Sequence, residues 1–416
     1  MDIAAIFLVA TALLAYVNHR FIGLPSTIGV MGIALMLSVA LALLDAMGVP
    51  LLRQYELRLL SSFNFTDVLM QGMLSLLLFA GALHVDLSEL RAFKWQIGVL
   101  ALFATTASAI LIGICTWFIL PLFELQLPLA YCFVFGALIS PTDPVAVLGI
   151  LKSARVPKSL ELVITGESLF NDGVGVVLFA VAISMVGTGT EPSISDALVL
   201  LLREAGGGIA FGLLIGWVAF ALLRTIDSYQ EEILLTLATV VGGYALANHL
   251  HVSGPLAMVV VGLVIGNQGR AFAMSETTRE NLDVFWELLD AILNSVLFVL
   301  IGLEVVVTKF SHQLVLPAAL VLIATLCARW ITVGIPAGLF KRSFGLPDGS
   351  WRVVAWGGLR GGISVALALS LRPGDARDLL VSLTYVIVVF SILVQGLTIG
   401  GLARRVARKH PPAAPQ

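Results

Sequence analysis

The sequence predicts an all-α polytopic membrane protein, and three observations predict it. Of 416 residues, 59% are hydrophobic and only 12% charged, with a mean hydropathy of +1.01. Soluble domains carry about a quarter charged residues, so an ordinary globular enzyme is excluded and a bilayer is the solvent left. The apolar residues fall into runs of about 20, the length that crosses a hydrocarbon core. Lysine and arginine, finally, collect on alternate connections between those runs. A net charge of -2 gives no reason to expect nucleic acid as a partner.

The runs read, in order, as spans over 3–17, 22–48, 66–84, 96–120, 126–151, 159–187, 197–223, 229–250, 253–268, 284–308, 313–340, 353–371 and 379–403. The opening MDIAAIFLVA lacks the basic region and small-residue cleavage site of a signal peptide and reads as the start of the first span. An odd number of spans, about 13, puts the termini on opposite sides. With the N-terminus outside, sixteen of the 24 basic residues fall on the inner side and five on the outer. The other three, Arg203, Arg329 and Arg360, lie within spans. The positive-inside rule therefore places the C-terminus in the cytoplasm and the N-terminus outside. Residues 1–403 form a single transmembrane unit. The stretch Asn267–Asp283 reads as a loop, 50–63 as a loop or short interfacial helix, and 404–416 as a short basic, disordered cytoplasmic tail. Gly208, Gly212 and Gly216, and again Gly262 and Gly266, have the four-residue spacing that lets membrane helices approach closely. Cys115, Cys132 and Cys327 sit in apolar runs without metal-ligand spacing and read as buried, reduced thiols.

Ionisable groups inside apolar spans are costly there and point to function. Two clusters stand out. Ser140-Pro141-Thr142-Asp143-Pro144 lies in the middle of its span, and two prolines three residues apart remove backbone donors and break the helix. A break at membrane depth is tolerated where it lines a cavity or is buried in protein, and its free carbonyls can hold ions. In the next span comes Gly166-Glu167-Ser168-Leu169-Phe170-Asn171-Asp172-Gly173. At 100° per residue Ser168 and Asp172 share one face, and Glu167 and Asn171 the adjoining stripe. Carboxylate, amide and hydroxyl oxygens are hard ligands, suited to sodium, lithium or protons rather than soft metals. A single aspartate can instead cap a kink or pair with an arginine, the plainer reading of Asp143. Arg329 and Arg360 must face the interior and find carboxylates; Glu167 suits one of them, with Asp290 and Glu304, flanking Asn294, as further partners.

At these residues the sequence resembles the monovalent cation/proton antiporter superfamily, in the branch of NhaP-type antiporters and eukaryotic sodium/proton exchangers. The matching segments are SPTDPVAV (140–147), GESLFNDGVGVVLF (166–179), NSVLFVLIGLE (294–304) and GGLRGGISVALAL (357–369), in the family's order. The resemblance implies inverted repeats and two interleaved parts, a dimerisation domain and a core domain built on two crossed, broken helices. It implies a homodimer in a prokaryotic plasma (inner) membrane that serves pH homeostasis, with the transported ions in place of any cofactor. By position Asp172 is the ion- and proton-binding carboxylate, with Asn171, Asp143, Thr142 and Ser168 beside it. A transient monovalent cation would touch Asp172, Asp143 and Ser168, and Glu167 would be held by Arg329 or Arg360. One departure is visible: many relatives carry a glutamate near the position of Ala80 or Gly81, and this sequence lacks it and with it any proton or cation control that glutamate supplies.

Asn171-Asp172, rather than two adjacent aspartates, leaves one exchangeable carboxylate. Cation and proton then compete for the same oxygens, and alternating access gives electroneutral exchange, with sodium the expected cation. No ATP-binding motif is present, so ion gradients would drive it and the chain is not an enzyme. Two other readings compete. An intramembrane aspartyl protease would pair Asp143 with Asp172, but Asp143 precedes a proline at a helix break. A cation channel is disfavoured by asymmetric acidic clusters and buried arginines.

Overall fold

The computed structural model describes residues 2–47, 72–187, 199–304, 312–339 and 346–409. The described residues are helical almost throughout. In chain order the helices are α1 (Asp2–Val17), α2 (Ser26–Ala46), α3 (Leu74–Leu83), α4 (Leu87–Ala92) and α5 (Lys94–Phe123). Then come α6 (Leu129–Ile139), α7 (Val145–Ser153), α8 (Lys158–Gly187), α9 (Val199–Leu223), α10 (Tyr229–His249) and α11 (Gly254–Phe272). The last are α12 (Glu276–Glu304), α13 (Val315–Leu339), α14 (Ser350–Trp356), α15 (Gly362–Leu369) and α16 (Asp375–Lys409).

Eight helices among the described residues are 18 residues or longer and apolar enough to cross a membrane. The thirteen spans expected from sequence exceed that number for local reasons. The apolar part of α2 is short, α3 begins where the described residues begin, and α10 carries Glu231 and Glu232 in its first turn. Two further spans are interrupted. Large apolar side chains such as Leu13, Phe118, Trp217 and Leu339 stand exposed on the outer faces, as a chain solvated by lipid requires.

The two interruptions organise the interior. Between α6 and α7 the segment Ser140–Pro144 leaves the helical path, as its two prolines dictate. Ser140 Oγ donates to Gly136 O (2.7 Å), returning one of the bonds that the break removes. Residues 353–371 do not form one span: α14 ends at Trp356 and α15 starts at Gly362. Glycine pairs at 357–358 and 361–362 weaken the helix on both sides of Leu359-Arg360. The two breaks meet in an antiparallel bridge, where Asp143 N–H donates to Leu359 O (2.7 Å). Each break thus satisfies backbone groups of the other.

Packing falls into two main apolar clusters. The larger joins α2, α5, α6, α8, α13 and both broken helices, with Met31, Ile112, Phe135 and Tyr385 fully buried. The smaller joins α3, α9, α10 and α11 through Phe79, Phe211, Tyr244 and Met258. α12 serves both: Trp286 enters the smaller cluster, Leu297 and Phe298 the larger. The expected glycine faces are packing faces. A Cβ on Gly212 would lie 2.6 Å from Ala257 O, and one on Gly262 2.8 Å from Phe79 O, so α9 and α3 both lie tightly against α11.

Three expectations change. Asn267–Asp283 is not a loop: helix runs to Phe272 and resumes at Glu276, with Ser275 Oγ accepting from Thr278 N–H (3.3 Å) near the restart. Residues 404–409 continue α16 as helix, because Ala403 and Val406 still find buried contacts. Cys327 is exposed rather than buried; Cys132 is buried and Cys115 lies between. The segment 50–63, read as a loop or short interfacial helix, lies outside the described residues, as does 410–416.

Candidate functional site

The site is built where α8 passes the two breaks. A Cβ on Gly175 would overlap Pro141, so that glycine lets the α6–α7 break rest directly on α8. One to two turns earlier on α8, Glu167, Ser168, Asn171 and Asp172 are all buried. Asn171 works as a strap: its Oδ1 accepts from Thr142 N–H (3.2 Å) and its Nδ2 donates to Thr142 Oγ1 (2.7 Å). Thr142 Oγ1 also lies 3.2 Å from Ser168 Oγ. Asp143 Oδ1 accepts from Val145 N–H (2.9 Å), steadying the start of α7, while its main chain is held by Leu359.

Asp172 and Asp143 are neighbours and both line a cavity of about 600 Å³. Asp290 and Asn294 of α12 form part of its wall, and Asn294 Nδ2 donates to Asp290 O (3.0 Å). Lys152, Lys158, Glu161 and Glu89 ring its mouth, where Lys158 pairs with Glu89 and Lys152 lies 4.0 Å from Glu161. Asp86 caps α4 at the same rim. The Ser88 hydroxyl (2.5 Å) and N–H (2.7 Å) donate to its carboxylate and hold it below the usual carboxylate range. Asp172 is 7% exposed, and what it sees is this cavity.

Glu167 belongs to a different environment. Its Oε1 lies 2.5 Å from Arg329 Nη1, both side chains being at most 5% exposed. Arg329 Nη2 also donates to Val354 O of α14 (3.2 Å). Arg329, not Arg360, is therefore the partner of Glu167. Arg360 does not take the expected carboxylate: its Nη1 donates to the carbonyls of Ser140 and Pro141, the latter at 2.9 Å. Those carbonyls are acceptors that the prolines leave without helical donors. The main chain of Arg360 is held in turn, its N–H donating to Ser391 Oγ (2.8 Å).

All eight residues singled out in the sequence converge on this crossing. Asp172 and Asp143 face the cavity, and Asn171, Thr142 and Ser168 hold the first break against α8 beside them. Glu167, Arg329 and Arg360 form the charged frame behind it. Three features escape a reading of the residues: the position of the second break, whose existence the family resemblance alone implied, the cavity wall from Asp290 and Asn294, and the main-chain clamp by Arg360. The two Gly-Gly pairs around Leu359-Arg360 were the signal for the first of these.

The chain as a whole has counterparts among known proteins. The family model described as "sodium/hydrogen exchanger, transmembrane" matches residues 8–405. The chain belongs to the sodium/hydrogen exchanger family. Among related exchangers, the Na(+)/H(+) antiporter NhaP of Pseudomonas aeruginosa is 51% identical over 416 residues, 99% of this chain and 98% of that one. The Na(+)/H(+) antiporter NhaH of Halobacillus dabanensis is 36% identical over 362 residues, 86% and 87% of the two chains. The exchanger's fold also matches the solved sodium proton antiporter MjNhaP1 of Methanocaldococcus jannaschii. That match has a TM-score of 0.71 at 19% identity and covers 97% of both chains. The exchanger is accordingly an all-helical integral membrane transporter and not an enzyme.

Proposed function

We propose that the exchanger carries one sodium ion against one proton at Asp172, by alternating access and without net charge movement. The observation that carries this reading is the division of labour between the two acidic residues of α8. Glu167 is neutralised by Arg329, whereas Asp172 is buried and faces the cavity. A carboxylate so placed binds either a hydrated cation shedding water or a proton, since both use the same oxygens. Asp143 and Ser168 supply further oxygens to the cation, while Asn171 and Thr142 keep the break against α8. Sodium and protons are cargo, and no prosthetic group has a part in the cycle.

The crossing also supports a stoichiometry of one. Arg329 already balances Glu167, so Asp172 is the carboxylate of α8 left for a single cation or proton to neutralise. An empty, charged site crosses hydrocarbon at high cost, which makes exchange obligatory. We place the mouth ringed by Lys152 and Lys158 on the cytoplasmic side, with the N-terminus outside, in the inner membrane of a prokaryote. A homodimer through the α3–α9–α10–α11 side, with the broken helices moving against it, completes the proposal.

The test is sodium-driven proton movement in proteoliposomes carrying an interior pH dye, with and without a potassium/valinomycin clamp. A response lost in Asp172→Asn and indifferent to the clamp is expected. A response that survives in Asp172→Asn removes Asp172 from its role, and one that changes with the clamp removes electroneutrality. Unsaturable sodium flux without proton movement would favour a channel.

A further inference from the structure

A second cavity, about 460 Å³, lies away from the ion pathway where α13, α14 and the end of α16 meet. Its walls include Gly334 and Gly338 of α13, Trp351 and Arg352 of α14, and Lys409 at the end of α16. Asp348 adds one carboxylate, so cations outnumber anions at its edge.

Its depth in the bilayer follows from helix length. α16 has 35 residues, and at about 1.5 Å per residue it spans roughly 50 Å, against a hydrocarbon core of about 30 Å. Its final turns therefore stand in the headgroup layer. Those turns are amphipathic: Ala403 and Val406 are buried, while Arg404, Arg405, Arg408 and Lys409 are exposed. Trp351 sits where interfacial tryptophans are favoured. It packs edge-on against Trp330, with centroids 5.3 Å apart, and the Arg352 guanidinium lies 5.6 Å from its ring centre. On the same end of α13, Ile335 and Leu339 expose their side chains outward, a surface for acyl chains.

We infer that this pocket seats the phosphodiester headgroup of an anionic phospholipid, its phosphate between Arg352 and Lys409 and its chains along the end of α13. The chemistry is that of basic pockets between transmembrane helices at a headgroup surface. The site also bears on the core. α13 carries Arg329, and α14 offers it Val354 O, so a lipid joining α13, α14 and α16 braces the frame that holds Glu167. Binding to the folded state alone raises stability by mass action.

The experiment is thermal unfolding of the full-length exchanger in mild detergent with phosphatidylglycerol, phosphatidylcholine or inorganic phosphate added at equal concentration. Phosphatidylglycerol should raise Tm by several degrees, phosphatidylcholine much less and phosphate not at all. Arg352→Gln with Lys409→Gln should weaken the apparent lipid affinity about tenfold or more, the loss of about 1.4 kcal/mol or more. Arg352→Lys with Lys409→Arg should keep the effect. So should Arg404→Gln with Arg405→Gln, which leaves the pocket walls intact. Equal shifts in the glutamine pair, or equal shifts by phosphatidylcholine, would overturn the site. A shift by inorganic phosphate alone would overturn the lipid and leave a free-anion pocket. Photo-crosslinkable phosphatidylglycerol on the unmodified exchanger gives an answer independent of folding of the variants: attachment near Trp351 or Leu339 supports the site, and attachment only elsewhere sinks it.

Discussion

Asp172 and Glu167 lie five residues apart on one helix, and opposite fates follow from what each faces. Glu167 meets a guanidinium in a dry setting, where losing one partner leaves an unpaired buried charge. Arg329→Gln should therefore destabilise the exchanger by about 3–5 kcal/mol, read as a fall in Tm in detergent, and adding Glu167→Gln should restore much of it. Equal damage in the single and double variants would show that the pair does not act as a pair. Asp172 faces the cavity, and the proposed competition between sodium and protons there has a signature in pH. Protons compete for the carboxylate, so the apparent KM for sodium should rise as pH falls through the site's titration, approaching tenfold per pH unit for one proton. A slope near two would require a second linked carboxylate, with Asp143 or Asp290 the first to examine by mutation. At this scale the sequence was highly informative, because a charge in an apolar run is visible without any fold. It could not say which arginine serves Glu167: both are single basic residues in apolar surroundings, and only the turn of α13 decides.

The elements that matter most are the two that fail to be helices throughout. Prolines announce the first break, and Asn171 clamps it to α8 through both ends of its amide. Asn171→Ala removes that clamp and should cost about 1–3 kcal/mol by leaving the Thr142 groups unpaired, with a lower exchange rate in proteoliposomes. Unchanged Tm and rate would show that the bridge to Leu359 alone holds the break. The second break has no proline, only glycines, which occur in continuous membrane helices as well; hence its legibility was poor. Close approach explains them. A Cβ on Gly361 would overlap the Asp143 carboxylate, and one on Gly358 would lie 2.6 Å from Arg329 Nε. Gly361→Ala should therefore abolish exchange while leaving the chain inserted in the membrane, checked by transport beside a quantified membrane fraction. The stretch from Asn267 to Asp283 misled for the opposite reason: its polar residues decorate helix ends, including Arg270 bonded to Asp283, rather than a loop.

For the whole molecule, the arrangement of α12 between two apolar clusters matters, because the cavity opens along it. Thr165 lies on the cavity wall one turn nearer the mouth than Leu169. With Cys115, Cys132 and Cys327 replaced by alanine, Thr165→Cys should react with a membrane-impermeant thiol reagent from the cytoplasmic side only. Reaction from outside alone would reverse the assigned orientation. Sequence conveyed the bilayer, the order of the spans and the residues of the crossing. It did not convey the cavity, which depends on how α3, α8 and α12 diverge, or the length of α16, whose basic end reads as a solvated tail until Ala403 and Val406 are seen packed. One contact sets a limit on what can travel. Arg360 occupies the carbonyls of Ser140 and Pro141, the oxygens that the broken backbone would otherwise offer a passing ion. A guanidinium keeps its charge and is tied to the chain, so the crossing holds a resident that never departs. On the proposed one-for-one exchange, the seat a second travelling ion would need is taken by the protein's own nitrogen.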